Sequence, residues 1–204
     1  DLYFNTPARR KFLRTEQTEF GHCDEVFRRI ALARSGIAFM LKHNGRVSHV
    51  VRAQPGAERA AALLGDGFFT NSLQVETQVG ALRIFGRAGT PQAAGERTDG
   101  QYFFVNGRYV RDRLLAHAVR QAYEDVLHHE RHPAFVLFLE IDPAQVDVNV
   151  HPTKIEVRFR DARGIPQFVF HALHKALART AAGEAVSDTP GITSQRFDAM
   201  PPAY

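Results

Sequence analysis

QYFFVNGRYVRDRLLAHAVRQAYEDVLHHERHPAFVLFLEI, residues 101–141, decides the architecture. QYFFV is apolar and β-prone, and Asn106-Gly107 ends it in a turn. Over about 112–128, Leu115, Ala118, Val119, Ala122, Tyr123, Val126 and Leu127 recur at helical spacing, with Asp112 placed to cap the first turn. AFVLFLEI, residues 134–141, is apolar at almost every position, which predicts a strand buried on both faces.

Downstream, VDVNV and IEVRFR alternate as half-buried strands do, and a helix over 165–180 buries Val169, Phe170, Leu173, Ala176 and Leu177. Residues 182–204 hold Pro, Ser, Thr and Gly without a period and read as a linker or disordered tail. Upstream lie an Ala-rich helix at 57–64, a hairpin of 72–78 and 81–87 around Gly80, and a loop at 89–100. Gln54-Pro55-Gly56 reads as a boundary. Before it, DLYFN reads as a strand stopped by Pro7. A helix over 15–34 follows, with Phe20, Cys23, Val26, Phe27, Ile30 and Ala31 on one face and Ser35-Gly36 closing it. A hairpin then turns at Asn44-Gly45. From residue 55 the order is helix, hairpin, strand, helix, strand, strand, helix. That order predicts an α+β fold, with a mainly antiparallel or mixed sheet and helices on one face.

Hydrophobic residues make up 44% and charged residues 24%, enough apolar material for a core. The net charge of +4 permits an anionic partner without requiring one. One cysteine, Cys23, forms neither an intrachain disulfide nor a Cys-based zinc site, which suits a reducing cytoplasm. The apolar runs are too short to span a bilayer, so no membrane partner is expected. The chain opens on DLYFN without an initiator Met and reads as a fragment.

Three places have residues suited to binding chemistry. In VDVNVHPTKIEVRF, Lys154 lies in the connection between two alternating segments. It is either a solvated loop lysine or an ammonium presented to a phosphate on a rigid strand–loop–strand unit. Arg108, Arg111 and Arg113 surround the start of the 112–128 helix. They either pair with Asp112, Glu124 or Asp125, or converge with free backbone N–H groups on a phosphate. Arg9, Arg10, Lys11 and Arg14 form a basic turn, which is either solvated or one wall of a phosphate-backbone groove. His128 and His132 have the spacing of a zinc pair, but no carboxylate or Cys pattern completes a site, so no metal is expected. There is no P-loop, nucleophile elbow or GxGxxG.

DLYFNTPARRKFL, QYFFVNGRYVRDR and VDVNVHPTKIEVRF resemble, in that order, three signature stretches of the MutL family of DNA mismatch repair proteins. The resemblance covers residues 1–180; Thr153 departs from the Ala more usual at that position. It implies that residues 1–53 end the α/β sandwich of a GHKL ATP-binding domain. Residues 54–181 would form a ribosomal-protein-like βαβ transducer domain, and 182–204 would begin a linker.

Members are homodimeric ATPases that coordinate mismatch recognition with downstream repair. The resemblance therefore implies ATP and Mg as cofactors of the full-length protein. The implied partners are DNA, bound through its phosphate backbone, a mismatch sensor, and a downstream nuclease or helicase. The family's catalytic Glu, Mg-binding Asn and Gly-rich lid lie N-terminal to these stretches, so this chain alone is expected to bind no cofactor and hydrolyse no ATP. By resemblance Lys154 reaches the γ-phosphate, with Asn149 and His151 shaping its loop. Arg9 and Arg113 match DNA-binding positions, with Arg10, Arg108 and Arg111 as neighbours. Two other functions compete: the transducer domain of a type II topoisomerase, which NTPARRKFL argues against, and a stand-alone nucleic-acid-binding module of ribosomal-protein type.

Overall fold

Asn44-Gly45 and Asn106-Gly107 adopt φ of 49°/77° and 48°/75°, the left-handed pair that a two-residue hairpin turn demands. The computed structural model describes residues 3–96, 98–127, 131–150, 152 and 154–181. Its first elements are α1 (Pro7–Arg10), α2 (Glu16–Ala33), the hairpin β1 (Phe39–His43) and β2 (Arg46–Val51), α3 (Gly56–Leu64) and α4 (Asp66–Thr70). The sheet strands β3 (Ser72–Val79), β4 (Leu82–Gly89), β5 (Gln101–Val105) and β6 (Arg108–Val110) follow. The chain continues with α5 (Arg113–Ala122), β7 (Phe135–Glu140), β8 (Val146–Asp147), β9 (Arg158–Phe159) and α6 (Gly164–Ala181).

Five strands form a mixed sheet in the order β3-β4-β7-β5-β6. β7 lies at its centre, antiparallel to β4 and parallel to β5. Burial on both faces explains its unbroken apolar run. Phe135, Leu137 and Leu139 face the core made with α5 and α6, through Leu115, Val119, Val169 and Leu173. Val136 faces the other way, with Tyr102 and Phe104 of β5, into a core with Ala31 and Leu32 of α2 and Ala60 and Leu63 of α3. Each such leucine, buried outright, contributes roughly 1.5–3 kcal/mol. α5 and α6 thus share one face of the sheet, as the element order implies, and α2 and α3 cover the other.

Register aligns four rings across the sheet: Phe85 opposite Phe138, Phe138 beside Phe104, and Phe104 opposite Tyr109. Their centroids are 5.2, 4.8 and 6.0 Å apart, in the range where aromatic pairs add to simple burial. A guanidinium closes each end, Arg83 over Phe85 at 4.5 Å and Arg29 over Tyr109 at 4.1 Å.

Arg59 of α3 is fully buried. It donates to the carbonyls of Ala31 (2.7 Å), Ser35 (2.9 Å), Ile37 (2.7 Å) and Arg52 (2.5 Å). Its positive charge meets the carbonyl-rich end of α2, where the helix dipole is negative. Desolvation pulls its pKa below the ordinary arginine value. The first hairpin is clamped to α2 by two similar devices. His43 pairs with Glu16 at 3.0 Å and stacks on Phe20, and His49 pairs with Asp24 and stacks on Phe27.

Four expectations need correction. Tyr3–Asn5 form a turn rather than a strand: Tyr3 sits at φ 61°, Thr6 N–H closes on its carbonyl, and Pro7 starts α1. The second long helix stops at Ala122 instead of 128. From there the chain continues in tighter turns, Tyr123 N–H bonding the Arg120 carbonyl at 3.1 Å and Glu124 N–H the Gln121 carbonyl at 3.2 Å, and the buried Tyr123 hydroxyl donates to the Gly89 carbonyl at 2.7 Å. The alternating VDVNV and IEVRFR pair over two residues each, Val146–Phe159 and Asp147–Arg158. The rest of both segments has no ladder partner among the described residues. The predicted apolar stripe of α2 is only partly covered, with Cys23, Val26 and Ile30 exposed and Ala31 and Leu32 buried. Residues 182–204, expected as a tail, lie outside the described residues. No described helix is long and apolar enough to cross a membrane.

Candidate functional site

The corner where β6 hands over to α5 carries three of the expected arginines. Arg108 lies on β6, Arg111 follows it, and Arg113 is the first residue of α5; all three side chains are exposed. Asp112 caps the helix, its Oδ1 accepting the N–H groups of Leu114 (2.9 Å) and Leu115 (3.1 Å). That capping holds the carboxylate against the helix end through Oδ1, and none of the three arginines takes an ion pair among the described residues. The salt-bridged alternative for this cluster therefore finds no support in the geometry.

Lys154 reaches the same corner by a backbone contact. The Arg111 N–H donates to the Ile155 carbonyl at 2.6 Å, which fixes the segment beside β6. Lys154 is exposed and sits at φ 53°, a left-handed conformation uncommon for a residue with a side chain. The expected rigid strand–loop–strand mount is absent, since β8 and β9 each span two residues. Position 154 is held instead by the Arg111–Ile155 bond and by burial of Val157. Asn149 is exposed, and its N–H folds back onto Asp147 Oδ1 at 2.8 Å. His151 lies outside the described residues, as do Thr153, His128 and His129.

Arg9 and Arg10 are exposed on α1, which buries nothing. No hydrogen bond or ion pair ties them to the β6–α5 corner among the described residues. Lys154 and Arg111 are thus brought together by the fold, while Arg9 and Arg10 are not joined to them.

A second group was not anticipated from the sequence. Tyr102, 1% exposed, donates its hydroxyl to Glu25 Oε2 at 2.9 Å. Glu25 Oε1 pairs with Arg29 at 2.9 Å, and Arg29 stacks on Tyr109, next to Arg108. Burial, and then the Glu25 carboxylate, push the Tyr102 pKa far above the ordinary phenol value, so the hydroxyl keeps its proton. Glu25, Arg29, Tyr102, Tyr109, Arg111 and Asp112 line part of one cleft of about 1140 Å³ between α2 and the β6–α5 corner. The available signals were a buried-strand tyrosine, whose hydroxyl needs a partner, and a Glu–Arg pair four apart on α2.

Residues 60–178 match the family described as DNA mismatch repair protein, C-terminal domain. The chain is 58% identical over 197 residues to the DNA mismatch repair protein MutL of Herminiimonas arsenicoxydans, covering 95% of this chain and 32% of that protein. It is 59% identical over 206 residues to that of Ralstonia nicotianae, covering 97% and 32%. The chain thus spans about a third of the length of these relatives. The Aquifex aeolicus MutL ATPase domain complexed with ADP superposes with a TM-score of 0.52 at 27% identity, over 70% of this chain and 51% of that one. The N-terminal domain of a DNA repair protein shares the fold with a TM-score of 0.73 at 20% identity, over 89% and 60%.

Proposed function

Since the chain belongs to the MutL family of DNA mismatch repair proteins, we propose that it couples ATP binding to DNA binding through the β6–α5 corner. Lys154 contacts the γ-phosphate of ATP, and Asn149 and His151 shape its loop. Arg108, Arg111 and Arg113, with Arg9 and Arg10, hold the DNA phosphate backbone without reading sequence. The observation that carries this reading is the Arg111–Ile155 backbone bond, which seats the segment of the exposed Lys154 beside three exposed arginines that take no ion pair among the described residues. The solved Aquifex relative carries ADP, which supports nucleotide use in the full-length protein. ATP with Mg supplies the phosphoanhydride bond to be broken. This chain contributes a positive charge aimed at the terminal phosphate, worth most where water is excluded.

In this reading residues 1–53 belong to the ATP-binding domain, 54–181 are the transducer, and 182–204 start a linker. The full-length protein works in the cytoplasm as a homodimer. There it links a mismatch sensor to a downstream nuclease or helicase.

Two measurements on the full-length protein test the proposal. Lys154→Ala is expected to slow ATP hydrolysis by roughly 10²–10³-fold, the loss typical when one charge-stabilising donor is removed. An unchanged rate refutes the nucleotide role. Arg113→Glu is expected to weaken binding to duplexes of every sequence alike and to flatten the slope of log K against log salt by about one unit or more. An unaltered slope removes Arg113 from the DNA surface.

A further inference from the structure

We infer that Glu25, Arg29, Tyr102 and Tyr109 form a positioning clasp that transmits between the nucleotide and the DNA-facing corner. The inference rests on the reading of Lys154 as the phosphate contact and names what joins that contact to α2. The clasp has two arms from one helix. Glu25 receives the Tyr102 hydroxyl at 2.9 Å, and Arg29, four residues on, lays its guanidinium 4.1 Å from the centre of the Tyr109 ring. The Glu25–Arg29 pair at 2.9 Å locks the arms together.

Both tyrosines are fixed to the sheet. Tyr102 is a core residue of β5, and Tyr109 packs edge-on against Tyr102 at 6.4 Å and Phe104 at 6.0 Å. β6 therefore follows α2. Two residues beyond Tyr109, the Arg111 N–H holds the Ile155 carbonyl, so the segment bearing Lys154 follows β6. A displacement of α2 reaches Lys154 and Arg111 through the paired side chains of Glu25 and Arg29, the packed tyrosine rings and one backbone bond. The couplings are short-range and half-buried, with Glu25 33% and Arg29 28% exposed, so added salt screens them weakly.

Coupling of this kind is reciprocal: whatever factor a nucleotide changes in DNA affinity, DNA changes in nucleotide affinity. The test uses the full-length protein and one ratio, the DNA dissociation constant without and with a non-hydrolysable ATP analogue. Arg29→Met and Tyr109→Leu are each expected to shrink that ratio by roughly threefold or more, within the range of ordinary allosteric factors. DNA affinity without nucleotide should move less than twofold. The double variant should resemble either single one, because both remove the same contact. Tyr109→Phe keeps the ring under the guanidinium and should retain the wild-type ratio, which separates loss of the clasp from loss of folding.

A wild-type ratio in both Arg29→Met and Tyr109→Leu overturns the clasp. So does a loss of nucleotide-free DNA affinity with the ratio intact, which makes these residues plain DNA contacts. Lys154→Ala in the same assay separates the two claims. If it abolishes the ratio while Arg29→Met does not, the clasp alone fails. If Lys154→Ala leaves the ratio unchanged, or the wild-type ratio is one, the underlying reading fails as well.

Discussion

Arg59→Met is expected to destabilise the protein by about 3–5 kcal/mol, because four main-chain carbonyls lose one charged donor. Methionine fills much of the volume but donates nothing. The carbonyls of Ala31, Ser35, Ile37 and Arg52 then lose a donor that reaches all four at 2.5–2.9 Å. A hydrogen bond from a charged donor contributes ~1.5–3 kcal/mol, and four to one group do not add in full. Lysine should rescue little, because a single ammonium cannot span carbonyls that a planar fork reaches from two nitrogens. The urea midpoint is the measure: it should fall with the slope preserved. A loss under about 1 kcal/mol would show that water or rearrangement satisfies those carbonyls, and that the joint between α2 and α3 does not depend on this residue.

Gly86→Ala should be of similar severity for a different reason. Gly86 lies mid-strand in β4 at φ 135°, opposite Leu137 of the central strand. A Cβ there would stand 2.1 Å from the Val136 carbonyl oxygen, which belongs to backbone and cannot step aside. Strain of ~1–3 kcal/mol and overpacking of ~1–3 kcal/mol give about 4 kcal/mol together. Gly45→Ala serves as the comparison. Its φ is also positive, at 77°, but a Cβ meets nothing within 4 Å, so only backbone strain of about 1 kcal/mol is expected. Thermal melting of the two variants should separate them clearly. Equal shifts would mean that the β4–β7 approach relaxes freely.

Local and continuous features were readable in the chain. Asn44-Gly45 and Asn106-Gly107 announce their turns because few other pairs tolerate two left-handed residues. The 135–140 strand shows in its unbroken apolar run because both of its faces are covered. Features that depend on distant partners were not readable. The residue just past α5 is tied by its hydroxyl to Gly89, 34 residues away, and nothing in the helical period marks that end. Alternation at 146–159 signals a preferred face but not a neighbour to pair with, so among the described residues of that segment only Val146–Asp147 and Arg158–Phe159 form strand. Arg59 sits in an Ala-rich helix, where an arginine ordinarily reads as solvated, and its partners are main-chain carbonyls that no residue pattern reveals. In the candidate site, Lys154 and the cluster of Arg108, Arg111 and Arg113 stood out as types. Their association did not, because the link from Arg111 to Ile155 is backbone to backbone.

The clasp tyrosines also give the protein a built-in optical gauge. This chain has no tryptophan and five tyrosines, so its near-ultraviolet emission is dominated by phenols, and two of those five rings, Tyr102 and Tyr109, sit where α2 meets the sheet. A shift of that helix would alter the surroundings of both at once. Such a shift can therefore be followed in this chain through tyrosine emission, without a label.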